Sequence, residues 1–382
     1  MPWKTTTPMT ERLSFIKLYQ TRLWSMTELC TRFNISRKTG YKWLRRHAQE
    51  GLAGLQEKSR APLACPHRMA PEVAAALLEA KQLHPSWGPR KILPYLARHR
   101  PTLELPAAST VGELFHQAGL SRFKPRRRRP QHPGAPALHA GAPNEVWTAD
   151  FKGHFRTGDG VYCYPLTVAD AYSRYLLGCM ARLSTKQVEA QPIFEHLFRE
   201  YGLPGAIRTD NGAPFATPAF CGLSKLSVWW IKLGIRHQRI APGRPEQNGR
   251  HERMHRTLKA EATRPPERNQ ATQQARFDRF RQEYNHERPH EALGQCTPVT
   301  LYRPSRRQMP TKLAAPVYPG HYLVRRVSNA GTFRFQSRQL FLSDTLLQEW
   351  IALEETSDGI WSIYFYDVLL ARLDERDFKL RG

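Results

Sequence analysis

From residue 145 to residue 182 the chain reads with a period of two, the side-chain period of a pleated strand and not of a helix. Three stretches carry it: "EVWTADFKGHF", "VYCYPLTVAD" and "YLLGCMA". They are rich in aromatic and β-branched residues and are divided by the turns "TGDG" and "AYSR". After them the pattern alternates. "TKQVEAQPIFEHLFREYG" reads as an amphipathic helix with Val188, Phe194, Leu197 and Phe198 facing a core and Gly202 as its stop. "AIRTD" is a short strand, "PAFCGLSKLSVWWIKLG" a helix and "IRHQRI" a strand. Gly249 opens a helix that runs to about Thr263, and "QATQQARFDRFRQEYNH" makes one more. Three strands followed by alternating helices and strands predict a mixed α/β sheet with helices on both faces.

The flanks differ in kind, so the chain is expected to be multidomain. Residues 1–56 hold "ERLSFIKLYQ", "SMTELCTRF" and "RKTGYKWLRRHAQEG", with Ser36 as N-cap and Gly51 as stop. Helix, helix, tight turn, helix is the helix-turn-helix order, and Arg37, Lys38, Thr39, Tyr41 and Lys42 near the start of the last helix are its candidate DNA contacts. Trp43 and Leu44 are expected to face inward. A second all-α unit, also helix-turn-helix-like, spans 57–122, broken at Pro85–Gly88 and Pro101–Pro106. Residues 123–143 are a basic Pro/Gly-rich linker whose Arg126, Arg127, Arg128 and Arg129 suit phosphate contact. The α/β core is assigned to 144–305. A small β domain, barrel-like or sandwich-like, follows at 312–382.

Charge narrows the partner. The 58 Lys+Arg against 33 Asp+Glu leave +25, an excess that opposes folding and suits a polyanion. The six cysteines are scattered with no Cys-x-x-Cys pair, which argues against a zinc ribbon or a disulfide scaffold and for reduced thiols. Neither a signal peptide nor a membrane-length apolar run is evident. The expected setting is the cytosol, with no membrane partner.

Against that basic background two acids stand out. Asp150 lies within an apolar strand, where a carboxylate must be paired or hold a metal. Asp210 ends "AIRTD", and strand ends of an α/β sheet commonly bind ligands. Taken alone, "DNG" is also an ordinary turn. With a third acid on a helix, such a set can hold two Mg²⁺ or Mn²⁺ ions for in-line phosphoryl transfer.

The stretches "VWTADFKG", "LTVADAYSRYLLG", "IRTDNGAPF", "LGIRHQRIAPGRPEQNGRHERMHRTLK" and "YNHERPHEALGQCTPVTLY" resemble the integrase-core (DDE) transposases of bacterial insertion sequences, relatives of retroviral integrases. The match covers 144–302, with the N-terminal helices fitting more loosely and the tail carrying little motif. The resemblance implies a ribonuclease H-like core and an Asp, Asp, Glu triad with two metal ions, Mg²⁺ or Mn²⁺. It implies cleavage at element ends and attack of the freed 3′-OH on target DNA. Its aspartates fall on Asp150 and Asp210. The retroviral N-terminal zinc motif is absent, and Asp170 is followed by Ala171 where relatives often carry a second acid. Asp170 thus reads as a turn residue, and His286 and His290 as part of a helix-ending turn.

The third acid has three claimants. Residues 211–245 are 35 in number, so the count usual in that family reaches Glu246. The motif register disagrees: Pro245 and Gly249 precede Glu252, which stands three residues after the glycine. The surplus falls in "PFATPAFCGLSKLSVWWIKLG", longer than its retroviral counterpart. On a helix of 100° per residue Glu261 falls nearly opposite Glu252, while Arg256 and Lys259 share the face of Glu252 and suit DNA phosphates. The expected catalytic and metal-binding set is Asp150, Asp210 and Glu252. The expected partners are double-stranded DNA, as terminal inverted repeats and target, and further copies of the chain in a homo-oligomer. A regulator with an inert core, or a nuclease that cuts without joining, are the alternatives.

Overall fold

The computed structural model describes residues 6–59, 69–121, 140–217, 222–241 and 248–381. The chain forms two compact units, 1–68 and 69–382. Arg126–Arg129 and Glu246 lie outside the described residues.

The first unit is three helices: α1 (Pro8–Gln20), α2 (Met26–Arg32) and α3 (Arg37–Glu50). Each start is capped by a hydroxyl, from Thr7, Ser25 and Ser36, which supplies an acceptor to an otherwise orphaned helix N–H. Phe15, Ile16, Leu29, Cys30, Trp43 and Leu55 make the core. Gly40 lets α3 approach closely, since a Cβ there would stand 2.9 Å from Cys30 Sγ and 3.0 Å from the Phe15 ring. Leu44 is part-buried beside Trp43. The opposite face of α3 leaves Arg37, Lys38, Tyr41 and Lys42 exposed, with Thr39 half-buried and its N–H donated to Ser36 Oγ.

The second unit opens with α4 (Pro71–Leu83), α5 (Pro89–His99) and α6 (Ala108–Gln117) around Leu77, Trp87, Ile92, Leu96 and Phe115. The sheet follows. β1 (Val146–Phe151) pairs antiparallel with β3 (Tyr162–Asp170), which also pairs antiparallel with β4 (Leu176–Arg182). Between β1 and β3 the short β2 (Phe155–Arg156) extends the same ladder. After α7 (Gln187–Tyr201), β5 (Ala206–Thr209) lies parallel to β1; after α8 (Lys225–Lys232), β6 (Arg236–Arg239) lies parallel to β5.

Alternation decides which residue meets which layer. Trp147, Ala149, Leu166, Val168 and Leu177 face α7 and α8, against Phe194, Leu197, Phe198 and Trp230. Ala169, Leu176, Cys179 and Ala181 face α9 (Gly249–Ala262) and α10 (Gln270–His286), against Met254, Leu258, Phe277 and Phe280. Val188 is a correction: it is 80% exposed. The buried stripe of α7 is Ala190, Ile193, Phe194, Leu197, Phe198 and Tyr201, and the helical period carries Val188 off it.

A short α11 (Pro298–Leu301) leads to the tail. Strands β7 (Leu323–Arg326), β10 (Trp350–Ser357), β11 (Ile360–Phe365), β12 (Val368–Asp374) and β13 (Lys379–Arg381) form one antiparallel sheet, and β8 (Thr332–Phe335) with β9 (Arg338–Phe341) form a hairpin. Their apolar core includes Leu223, Val228 and Ile231 around α8, and Lys232 pairs with Glu349 at 2.6 Å. The tail is thereby seated on the core. Among the described residues no helix is long and apolar enough to cross a membrane.

Candidate metal centre

Thr148 and Asp150 are half-buried on the strand face opposite Trp147 and Ala149, so their side chains meet the start of α9. Asp150 Oδ2 accepts from Asn248 Nδ2 at 3.1 Å, the residue that precedes α9. Burial, and then the negative charge of Asp210, push the Asp150 carboxyl up to about 7. A carboxyl whose ionisation is opposed by burial and by a neighbouring acid is a site that a divalent cation would relieve. Asp210 follows β5, half-buried, and its Oδ1 accepts from Gly212 N–H at 3.2 Å. Asn211 Nδ2 donates to the Ile240 carbonyl at 2.9 Å, tying that loop to the end of β6.

Beneath Asp150 lies a polar knot. Thr167 is its cross-strand partner, and Thr167 Oγ1 donates to the Asp150 carbonyl at 3.0 Å. The same oxygen stands 2.7 Å from Nε2 of His251 and of His255. Thr167 has one proton, spent on the carbonyl, so the imidazoles must donate to it. Burial holds both rings neutral, with His251 pushed down to about 3. His255 Nδ1 is then a lone pair, 3.7 Å from Asp150 Oδ2. Two acceptors face each other, which calls for a proton or a cation between them. His251 is engaged at both nitrogens, by Thr167 and by Thr148 Oγ1 at 2.9 Å.

Among the described residues the one group of three ligand-type side chains within 4.8 Å of each other is Asp150, His251 and His255. Asp210 and Glu252 are not in it. Glu252 is exposed in the first turn of α9 and makes no hydrogen bond or ion pair among the described residues. It neighbours His255 at i,i+3 and Arg256 at i,i+4, so it emerges on the side of α9 that His255 turns toward Asp150. Arg256 and Lys259 are exposed on that face, while Met254, Leu258 and Ala262 are buried on the other. Glu261 is occupied elsewhere: it accepts from Arg288 at 2.7 Å and from Ser86. Asp170 is fully buried and caps its turn, accepting from Asn144 N–H and from the Ser173 N–H and hydroxyl. His290 packs on Tyr284 in the turn after α10.

Sequence reasoning assigned no role to His251, His255, Thr167 or Asn248. The signal for Thr167 was weak: threonine is at home in a strand, and only its place opposite Asp150, which the fold sets, singles it out.

Residues 140–245 and 233–298 match family models described as an integrase core domain. Residues 7–56 and 39–115 match models described as a homeodomain-like domain. An insertion element IS476 uncharacterized 39.2 kDa protein of Xanthomonas euvesicatoria is 28% identical over 281 residues, 71% of this chain and 76% of the relative. An insertion element IS407 uncharacterized 31.7 kDa protein of Burkholderia multivorans is 29% identical over 196 residues, 49% of this chain and 66% of the relative. A solved chain in a simian T-cell lymphotropic virus intasome, complexed with PP2A regulatory subunit B56 gamma, aligns at TM-score 0.38 and 17% identity over 77% of this chain and 97% of its own. The two integrase-core matches run on through the strands and the helix that carry Asp150, Asp210 and Glu252, so residues 140–298 carry an integrase core domain, and the chain is similar to proteins of bacterial insertion elements.

Proposed function

We propose that the chain cleaves the ends of a mobile element and joins the resulting 3′-OH to target DNA, with Asp150, Asp210 and Glu252 as its metal-binding carboxylates. The observation that carries this is the pair of Asp150 on β1 and Asp210 just past the end of the neighbouring parallel β5, the first held protonated to about pH 7 by burial and by the second. Two Mg²⁺ or Mn²⁺ ions, when bound, would polarise the scissile phosphate and stabilise the attacking and leaving oxygens. Asp150 and Asp210 would supply hard oxygen ligands from a rigid sheet. Glu252, on the first turn of α9, would approach from the helix side. Asn248 orients Asp150 by its hydrogen bond, and Thr167 with the two histidines fixes the spacing of β1 from α9.

The remaining roles follow from chemistry. Arg37, Lys38, Thr39, Tyr41 and Lys42 on α3 would read the terminal inverted repeats, with Arg126–Arg129 tracking phosphates and Arg256 and Lys259 holding the DNA end. Because two ends must be brought together, the working form would be a homo-oligomer acting on chromosomal DNA. Residues 1–56 and 57–122 are taken as the DNA-reading units, 144–305 as the catalytic core and 312–382 as an accessory β domain. The test supplies duplexes carrying the element ends, a target plasmid and Mg²⁺. Joined product is expected. Cleavage without joining would instead make the chain a nuclease, and binding without cleavage a regulator.

A further inference from the structure

The second helical unit is anchored to the catalytic core. Lys91 Nζ donates to the Pro289 carbonyl at 2.5 Å and Arg98 to the Glu287 carbonyl at 2.7 Å, while His84 Nδ1 stands 2.9 Å from a Glu283 oxygen. At this junction lies a cavity of 550 Å³. Its walls come from the start of α5, from α9 and from the segment after α10. Ligand cavities are usually apolar with a few polar groups. This one inverts the rule: Arg90, Lys91, Arg174, Arg250, Arg253 and Arg256 line it.

We propose that this junction cavity seats the sugar–phosphate backbone of a DNA strand, with Arg90, Arg253 and Arg256 as phosphate contacts and the half-buried Arg174 at the inner wall beside the exposed Arg250. Among the described residues Glu291 is the one acid in the lining, 3.5 Å from Arg90 with both side chains exposed, and Arg288 at the back is paired with Glu261. Cations forced together at a partly dry wall cost free energy, and a polyanion removes that cost. Arg174 shows the strain: burial, and then the neighbouring Arg250, push it down to about 10. Lys91 is likewise pushed down to about 8, by burial first and then by Arg288. Guanidinium forks match phosphate oxygens in pairs, as this predominance of arginine requires.

Position supplies the direction. Arg174 and Arg250 also line the narrow cleft that reaches Asn248, the hydrogen-bond donor to Asp150. A strand leaving Asp150 would pass Asn248 and Arg250 and enter the cavity. That direction rests on Asp150 as the metal-binding carboxylate; the phosphate seat itself does not. The helical unit would then act as one wall of the DNA path through Arg90.

The experiment measures binding of the full chain to a short random-sequence duplex in EDTA across a salt series, where no cleavage is read. Arg90→Gln combined with Arg253→Gln should make the slope of log K against log salt shallower by about 2, near 0.9 for each phosphate no longer neutralised, and weaken binding roughly tenfold or more. Arg199→Gln, on the exposed face of α7, should leave the slope unchanged. Glu291→Gln should tighten binding several-fold, because it removes the acid that faces Arg90. An unchanged slope in a double variant with native melting behaviour overturns the proposal, and so does unchanged or weaker binding by Glu291→Gln. Failure of the metal-centre reading would look different: no cleavage by the unaltered chain in Mg²⁺, with all of these binding results intact.

Discussion

In the metal-free fold Asp150 keeps its proton to about pH 7, because burial and the Asp210 charge both oppose ionisation. The unfolded chain releases that proton near pH 4. Between those values the folded state binds more protons than the unfolded one, so this residue makes stability fall as pH rises. Asp150→Asn should therefore stabilise the protein in EDTA at pH 8 by on the order of 2 kcal/mol and change little at pH 4. Thermal melts at the two pH values check this, and equal shifts at both would contradict it. Glu252→Gln should abolish cleavage and leave binding of element ends intact, while Glu246→Gln should stay active; reversed phenotypes would assign the proposed role to Glu246. Thr167→Val should be costly. It would strip both buried imidazoles of their partner, and each orphaned buried donor costs about 1–3 kcal/mol. A chemical denaturation curve measures the sum.

Among the elements, α9 shows most clearly what periodicity can and cannot reveal. The sequence separates Met254, Leu258 and Ala262 from Glu252, Arg256 and Lys259 by angle alone, and the fold keeps that division. It does not foretell that His251 and His255 reach across to a threonine of β3, since that contact joins residues more than 80 positions apart. α7 teaches the opposite lesson. Val188 is apolar and lies in the helix, yet the true stripe begins at Ala190; hydrophobicity alone chose one residue too many. In α3 the close approach at Gly40 should make Gly40→Ala destabilising by about 1–3 kcal/mol, as overpacking is. A midpoint shift in a thermal melt would register it, and an unchanged midpoint would show that Cys30 and Phe15 can give way.

At the scale of the molecule, the tail is held to the core by apolar contact, not by a tether alone. Val327, Phe333, Phe335, Ile351 and Phe365 share one cluster with Leu223, Val228 and Ile231. Removing residues 312–382 should uncover that face of α8 and yield a protein that aggregates or binds an apolar dye. A well-behaved truncated monomer of unchanged melting temperature would refute this. The charge of +25 also becomes legible at this scale. Composition set its sign and size, whereas the gathering of Arg90, Arg174, Arg250 and Arg253 about one cavity depends on helices that are distant in sequence.

The amino-acid order by itself determined the mixed sheet, the positions of Asp150 and Asp210, the helix that carries Glu252 and the three-helix unit ahead of them. Those features are written in local periods of two and 3.6, in caps and in motif spacing, all of which act between near neighbours. Tertiary structure alone decided the surroundings of Asp150: Asn248 on its oxygen, Asp210 beside it, and Thr167 between two neutral imidazoles. It also decided that the second helical unit closes a cationic cavity against α9. Burial and charge coupling depend on which distant segments meet, and no local pattern encodes that meeting.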